Sequence, residues 1–398
     1  MAGKDLNGGL VDVVTITIDK MDAKLEMGWN TGIHIFVWGQ PGIAKSAKAE
    51  QWAKKKSKEL GLEFVRNPKL ADFQDPKKLC FVVVNGSALD ELQANGVPVV
   101  DEIDTDNGTK MKVTRLSPTL MFPSKAYTKS KVVLFFDELS NSQTRVLAAL
   151  QPMFVDGCYG IEHTLACDLM IAASNRPNDG SFVTLMGMAG RNRWYHCNVL
   201  PIDNPGEWCD VMREIGRQLN PALDGFLRTP MGNKFYNTFT GDMKSGKFAF
   251  ATPRTLEMAS KTLNYHTENG AFPEQDIRED VGGCIGKTAG DQLVDFLKLA
   301  KAIDMDTLVK NPNMISQYNS DLSTLYSIML ALSSNRTQKY MDSAYEMILK
   351  HMPKKEFGAF YLNALLHNLG KTNWIKMTNQ SPLGKTVATT YDKLITCY

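Results

Sequence analysis

No long hydrophobic run occurs in this 398-residue chain: stretches such as Val132–Phe136 are strand-sized, far too short to cross a bilayer as a helix. Paired cysteine motifs are missing too. The seven cysteines form no CxxC, and their number is odd. A disulfide framework is therefore not expected, and a reduced cytoplasmic chain with buried thiols is. An excess of one charge is also lacking, with 45 Lys and Arg against 43 Asp and Glu and a net charge of +2. That balance gives no broad electrostatic footprint for nucleic acid, although a local basic stripe stays open. Residues Met1–Gly9 are polar and carry no apolar leader, so secretion is not expected. Neither an internal repeat nor a low-complexity tract stands out. The expectation is a soluble, cytoplasmic protein with no membrane association, long enough for two or three packed units.

What the chain does have is a set of short, continuous apolar runs in its first half. Ile33–Trp38, Cys80–Val84, Val132–Phe136, Leu169–Ala173 and Trp194–Leu200 each have the length of a buried strand. Amphipathic stretches separate them, notably Lys45–Leu60 with Ala47, Ala49, Trp52 and Ala53 near one side. Uninterrupted apolar strands alternating with helices predict a parallel sheet covered on both faces. Glu91–Ser124, rich in Gly, Pro, Asp and Thr, reads as a long loop or hairpin. Around Pro205 the character changes, and Ser260–Glu268, Asp291–Ile303, Leu322–Leu332 and Tyr340–His351 read as helices by period.

The first strand runs directly into Gly39-Gln40-Pro41-Gly42-Ile43-Ala44-Lys45-Ser46, with Ala47 continuing into the helix. The phosphate-loop pattern is GxxxxGK[ST], and only the second glycine departs, being Ala44. In such a loop backbone N–H groups point inward at phosphates, and the helix N-terminus adds its positive end. Lys45 would reach the β- and γ-phosphates of ATP, and the Ser46 hydroxyl would ligate Mg2+. Ala44 fits if its position uses negative φ. A second GKT, in Gly282-Gly283-Cys284-Ile285-Gly286-Lys287-Thr288, lacks the first glycine and follows the charged segment Asp276–Asp280. It reads as a decoy, a loop or helix start.

Two further strands end in polar residues. VVLFFDELSN places Asp137 and Glu138 at a strand's C-terminal end, where ligands bind in open α/β sheets. Asp137 would hold Mg2+ and Glu138 would polarise the attacking water. LMIAASNRP ends in Asn175, which fits a contact to the nucleophilic water or the γ-phosphate, or else a turn cap before Pro177. Arg191 and Arg193 precede the last strand, and Arg254 precedes a helix. Guanidinium groups stabilise charge on a transferred phosphoryl group, in cis or in trans. Ordinary surface ion pairs explain these arginines equally well.

Taken in order, GQPGIAKS, VVLFFDELSN, IAASNRP, GRNRW and ATPRT resemble AAA+ ATPases, specifically the MoxR-like branch, whose loop has the form GxPGxAK[ST]. The resemblance covers about the first 260 residues well and the rest loosely. It implies an AAA+ P-loop αβα sandwich with a parallel sheet, followed by an α-helical lid and a helical C-terminal extension. The expected divisions are 1–205, 206–303 and 304–398. It also implies roles: Lys45 and Ser46 as the Walker A pair, Asp137 and Glu138 as Walker B, and Asn175 as sensor 1. Arg254 corresponds to sensor 2 and Arg193 to the arginine finger offered to a neighbouring subunit, with Arg191 as the fallback. The implied assembly is a homo-hexameric ring. Its implied partner is a von Willebrand factor A domain protein or another protein client.

Rival readings remain a DNA-acting motor or loader on the same engine, and a nucleotide-gated scaffold with little turnover. Cys158, His163 and Cys167 have no standard zinc spacing and lack a fourth ligand. The lysine run Lys54-Lys55-Lys56 with Lys58 reads as a solvated helix face. Thr105–Lys112 is a candidate pore loop, and Met186 and Met188 read as core or interface filling.

Overall fold

A computed structural model describes residues 9–391 apart from 11, 118, 160–162, 180–182, 215–216, 218, 241–245, 247, 268–272, 336 and 353. The leader expectation, Gly9 aside, lies outside the described residues, as do Pro118, Glu268 and residues 392–398 of the expected extension. The chain divides into two compact units, residues 1–201 with 240–245, and 202–239 with 246–398.

In the first unit the strands are β1 (Val14–Thr17), β2 (His34–Trp38), β3 (Glu63–Arg66), β4 (Lys78–Asn85), β5 (Val97–Asp104), β6 (Lys110–Ser117), β7 (Lys131–Asp137), β8 (Cys158–Tyr159), β9 (His163–Thr164), β10 (Leu169–Ser174) and β11 (Trp194–Leu200). Seven of them make one wholly parallel sheet in the order β1-β11-β2-β10-β7-β4-β3. Helices α1 (Met21–Thr31), α2 (Lys45–Glu59), α3 (Leu70–Phe73), α4 (Glu91–Asn95), α5 (Thr144–Asp156) and α6 (Met188–Arg191) join the strands.

Alternate strand residues point to opposite faces. Ile35, Val37, Phe81, Val133, Phe135 and Ile171 pack with Met21 and Leu25 of α1 and Ala49, Trp52 and Ala53 of α2. Phe36, Trp38, Val82, Leu134, Phe136 and Ala172 pack with Val146, Leu147, Leu150 and Phe154 of α5. Burial on both faces is why the sequence shows apolar runs instead of alternation. The two edge strands, β1 and β3, escaped the sequence reading because each has four residues and exposed positions, with no apolar run to see.

The segment after β4 resolves into α4 and then an antiparallel hairpin, β5 with β6, eight residues a side. Thr105–Lys112 forms its tip and the start of β6. The lysine run needs a correction. Lys56 is buried, its ammonium 2.6 Å from Glu26 and lying over the Trp29 ring, while Lys54, Lys55 and Lys58 are exposed as expected.

The second unit holds α7 (Pro205–Glu214), α8 (Pro221–Leu227), α9 (Pro230–Asn233), α10 (Pro253–Thr267), α11 (Glu274–Ile285), α12 (Lys287–Lys298), α13 (Met305–Lys310), α14 (Leu322–Ser334), α15 (Gln338–Glu346), α16 (Lys355–Leu369), α17 (Lys371–Gln380) and α18 (Pro382–Thr390), with no strand among its described residues. The second GKT opens α12, preceded by a helix instead of a strand. Gly282 of that stretch packs against Gly290 of α12, where a Cβ would lie 2.7 Å from the Arg278 carbonyl oxygen and 2.9 Å from the Gly282 nitrogen. No helix among the described residues is long and apolar enough to cross a membrane.

Candidate functional site

Register fixes where the polar strand ends meet. Ser174 pairs with Trp38, and Ala173 pairs with both Val37 and Asp137. Gly39, Asn175 and Glu138 therefore leave the sheet within one residue of the same level on its C-terminal rim, the usual ligand side of an open parallel sheet. Between β2 and the fifteen-residue α2, the loop Gly39–Ala44 turns tightly over this rim. Gly39 has no room for a side chain, since a Cβ would sit 2.6 Å from the Val199 carbonyl oxygen and 2.9 Å from Ile43. Its N–H donates to the Ser174 carbonyl at 3.2 Å. Gln40, Gly42 and Ile43 are buried, Pro41 and Ala47 half-buried.

Ala44 departs from expectation. It adopts φ 69°, ψ 30°, the left-handed conformation, so the negative φ that would accommodate alanine is not used. The reason is geometric: the chain must reverse its turn to enter α2, and the general phosphate-loop pattern puts glycine there for that purpose.

The first helical residue, Lys45, is buried, and its ammonium donates to the carbonyls of Gly39 at 2.7 Å and Gln40 at 3.0 Å and to Asn175 Oδ1 at 3.3 Å. Ser46 Oγ donates to Asp137 Oδ1 at 3.0 Å. Four residues separated by up to 130 positions thus converge on one spot. Next to them Glu138 takes φ 54°, ψ 37°, and its exposed carboxylate accepts from Asn141 Nδ2 at 3.3 Å.

Several residues that brace the rim were not singled out in the sequence. Ser174 Oγ accepts from the Ser140 N–H at 2.9 Å, and Ser142 Oγ donates to the Gly86 carbonyl at 2.8 Å. Arg176, immediately after Asn175, forks onto Asp179 at 2.8 to 3.1 Å, with side chains only 6% and 3% exposed. Buried, bidentate pairing of this kind holds a loop in one geometry. The spacing Arg-x-x-Asp beside a strand end was the available signal; the serines carried none.

Arg193 is not brought to this rim, whereas Arg191 lines a small cavity with Trp38, Leu139 and Ser140 beside it. Trp194 pairs with His34, so Arg193 lies at the opposite, N-terminal end of β2, exposed and without an ion pair among the described residues. At about 3.3 Å per residue that is roughly 17 Å from Gly39, farther than an arginine side chain reaches. Arg191 is turned inward, its Nε donating to the Met186 carbonyl at 2.6 Å. Arg254 sits exposed in the first turn of α10, in the other unit. Of the remaining candidates, Cys158 and His163 lie on the small β8–β9 hairpin, where His163 Nε2 is 3.2 Å from the Leu116 carbonyl. Burial pushes the Cys167 thiol up to about 12. Met186 is buried, whereas Met188 is 76% exposed.

No family model matches this chain, and no curated protein does. Among solved structures it is similar to NtrX from Brucella abortus, at 14% identity over 98% of this chain and 70% of that one, with a TM-score of 0.37. A variant of RuvB from Thermotoga maritima shares 15% identity over 75% of each chain, with a TM-score of 0.36. Cdc6p from Pyrobaculum aerophilum shares 12% identity over 95% of this chain and 92% of that one, with a TM-score of 0.34. Such distant likeness carries no function. The class rests on the chain's own features: a parallel α/β sheet whose C-terminal rim carries a strand–glycine loop–helix element beside an Asp-Glu strand end.

Proposed function

We propose that this chain is an AAA+ ATPase of the MoxR-like type that hydrolyses Mg-ATP at subunit interfaces of a ring and uses the cycle to remodel or activate a protein client. The observation that carries the nucleotide reading is the convergence of Lys45, Asn175, Ser46 and Asp137 within 3.3 Å contacts on one sheet rim. An ammonium, an amide, a hydroxyl and a carboxylate gathered at a helix N-terminus suit a polyphosphate and its divalent ion.

The donor set fits Mg2+, which favours hard oxygen ligands and usually takes one or two from protein. Ser46 Oγ and the Asp137 carboxylate would hold it, and bound there it would neutralise charge on phosphoryl oxygens. Gly39 and Pro41 shape the turn, and the backbone N–H groups from Gly42 through Ala47 cradle the phosphates. Lys45 exchanges its bonds to the Gly39 and Gln40 carbonyls for phosphate oxygens. Glu138 accepts a proton from the attacking water, and Asn175 orients that water or the γ-phosphate. Arg193 supplies charge to a neighbouring subunit's site, and Arg254 is the sensor 2 candidate.

The test is Mg-ATP hydrolysis by the purified protein beside a Glu138→Gln variant, with particle size read on the same samples. Expected are wild-type turnover, a loss of roughly 100-fold or more in the variant, the scale of a missing general base, and an ATP-dependent oligomer in both. Equal inactivity of both proteins with ATP-dependent assembly would favour the scaffold instead. Salt-dependent binding of DNA by the assembled protein would point to the motor or loader.

A further inference from the structure

Glu138 has little of its own to hold it. Its side chain is exposed, its carboxylate and its carbonyl both accept only from Asn141 three residues on among the described bonds, and its backbone sits in the left-handed region. A non-glycine residue persists there only when its surroundings over-determine it. Those surroundings are the ends of two neighbouring strands. β4 and β7 run in register to Asn85 and Asp137, and each then enters a 3-10 turn, Gly86–Ala88 and Leu139–Asn141.

The two turns stack backbone on backbone at Gly86. A Cβ built there would lie 2.7 Å from the Glu138 carbonyl oxygen, 2.7 Å from Leu139 Cα and 2.8 Å from Ser142 Oγ. Two of these three atoms are backbone, so they cannot swing away as a side chain would. Ser142, 1% exposed, closes the contact by donating its hydroxyl to the Gly86 carbonyl at 2.8 Å. On the far side, Ser174 holds the Ser140 N–H. Gly86 itself has ordinary φ, so the requirement for glycine here is space, not conformation.

We infer that Gly86 and Ser142 form a clasp that sets where the Glu138 carboxylate stands, making them positioning residues for water activation. This rests on the ATPase reading above. The described contacts of the clasp reach the Glu138–Leu139 peptide and not the side chains of Lys45, Ser46, Asp137 or Asn175, so it should act on turnover more than on nucleotide affinity. A shift of about 1 Å in a reacting group costs on the order of 100-fold in rate.

The experiment compares wild type, Gly86→Ala, Ser142→Ala, Glu138→Gln and the Gly86→Ala/Glu138→Gln double variant. Turnover at saturating Mg-ATP is measured separately from affinity for a fluorescent ATP analogue, with thermal melting as a check of folding. Gly86→Ala is expected to lower kcat roughly 10- to 100-fold with affinity held within about threefold. Ser142→Ala, which removes one hydroxyl and adds no bulk, should lower kcat less and serves if the Gly86 variant does not fold. In the Glu138→Gln background Gly86→Ala should cost nothing more, because the group it positions is gone. A normal kcat in Gly86→Ala and in Ser142→Ala, or an affinity that falls in step with kcat, overturns the clasp alone. Wild-type turnover that Glu138→Gln does not reduce removes Glu138 from the mechanism and the clasp with it, whereas a wild type without turnover overturns the ATPase reading itself.

Discussion

At the scale of single residues, the phosphate-loop candidate uses an alanine where the backbone asks for glycine. Left-handed geometry costs an L-residue about 1–2 kcal/mol because Cβ crowds the following carbonyl. Ala44 at φ 69° bears that cost, and Glu138 at φ 54° bears another nearby. Replacing Ala44 by glycine removes the crowding but frees the unfolded chain, which takes back about 0.4–1 kcal/mol. The balance favours Ala44→Gly by roughly 0.5–1 kcal/mol, read as a later urea midpoint for the sheet-bearing unit. An earlier midpoint would mean that the methyl packs favourably in the loop and that the strain argument fails. Strain of this sort clusters at working sites, and two of the four described non-glycine residues with positive φ flank the rim, Asp12 and Asn67 being the others.

At the scale of elements, the second unit contains a buried charge clamp. Asp224 of α8 accepts from Arg228 Nε at 2.6 Å and from an Arg213 terminal nitrogen at 2.8 Å, while Asp210 of α7 meets the same two arginines at 2.6 and 2.9 Å. Burial pulls the Asp224 carboxyl up, but Arg228 and Arg213 outweigh it and hold the group below the usual carboxylate range. Asp224→Ala would leave two arginines, each 12% exposed at the side chain, facing only the more exposed Asp210. The expected loss is about 3–5 kcal/mol, the cost of breaking a buried network from one side. Circular dichroism melting of the variant measures it, and a change under about 1 kcal/mol would show that the cluster is well solvated.

The same contrast explains what the sequence could reveal. β2, β7 and β10 were legible because burial on both faces turns a strand into an uninterrupted apolar word. The loop and the Asp137-Glu138 pair were legible because their residues are contiguous and end such words. The clamp was not, since its partners lie 3 to 18 positions apart on two helices whose crossing no local pattern encodes. Gly86 and Ser142, 56 positions apart, were hidden for the same reason. Ala44's backbone could be misjudged because composition constrains φ only when glycine is present.

At the scale of the whole molecule, Arg193 poses a question of assembly. Strand register puts it at the N-terminal end of β2, roughly 17 Å from its own loop at about 3.3 Å per residue. An exposed arginine so placed cannot serve the phosphate site of its own sheet, so a role in hydrolysis requires a second copy. On the proposed ring each site then draws Glu138 from one subunit and Arg193 from the next, as a head-to-tail interface allows. Arg193→Ala and Glu138→Gln should each abolish turnover while ATP binding persists. Mixed as monomers before ATP is added, they should recover it, because an Arg193→Ala subunit keeps its own Glu138 and can receive an intact arginine from a Glu138→Gln neighbour. Random mixing in equal parts makes about a quarter of interfaces competent, so recovery up to about a quarter of wild-type activity is expected. Recovery dependent on mixing would establish a shared site. Normal turnover by Arg193→Ala alone would remove it from the mechanism, and no recovery in co-assembled mixtures would sink the shared site.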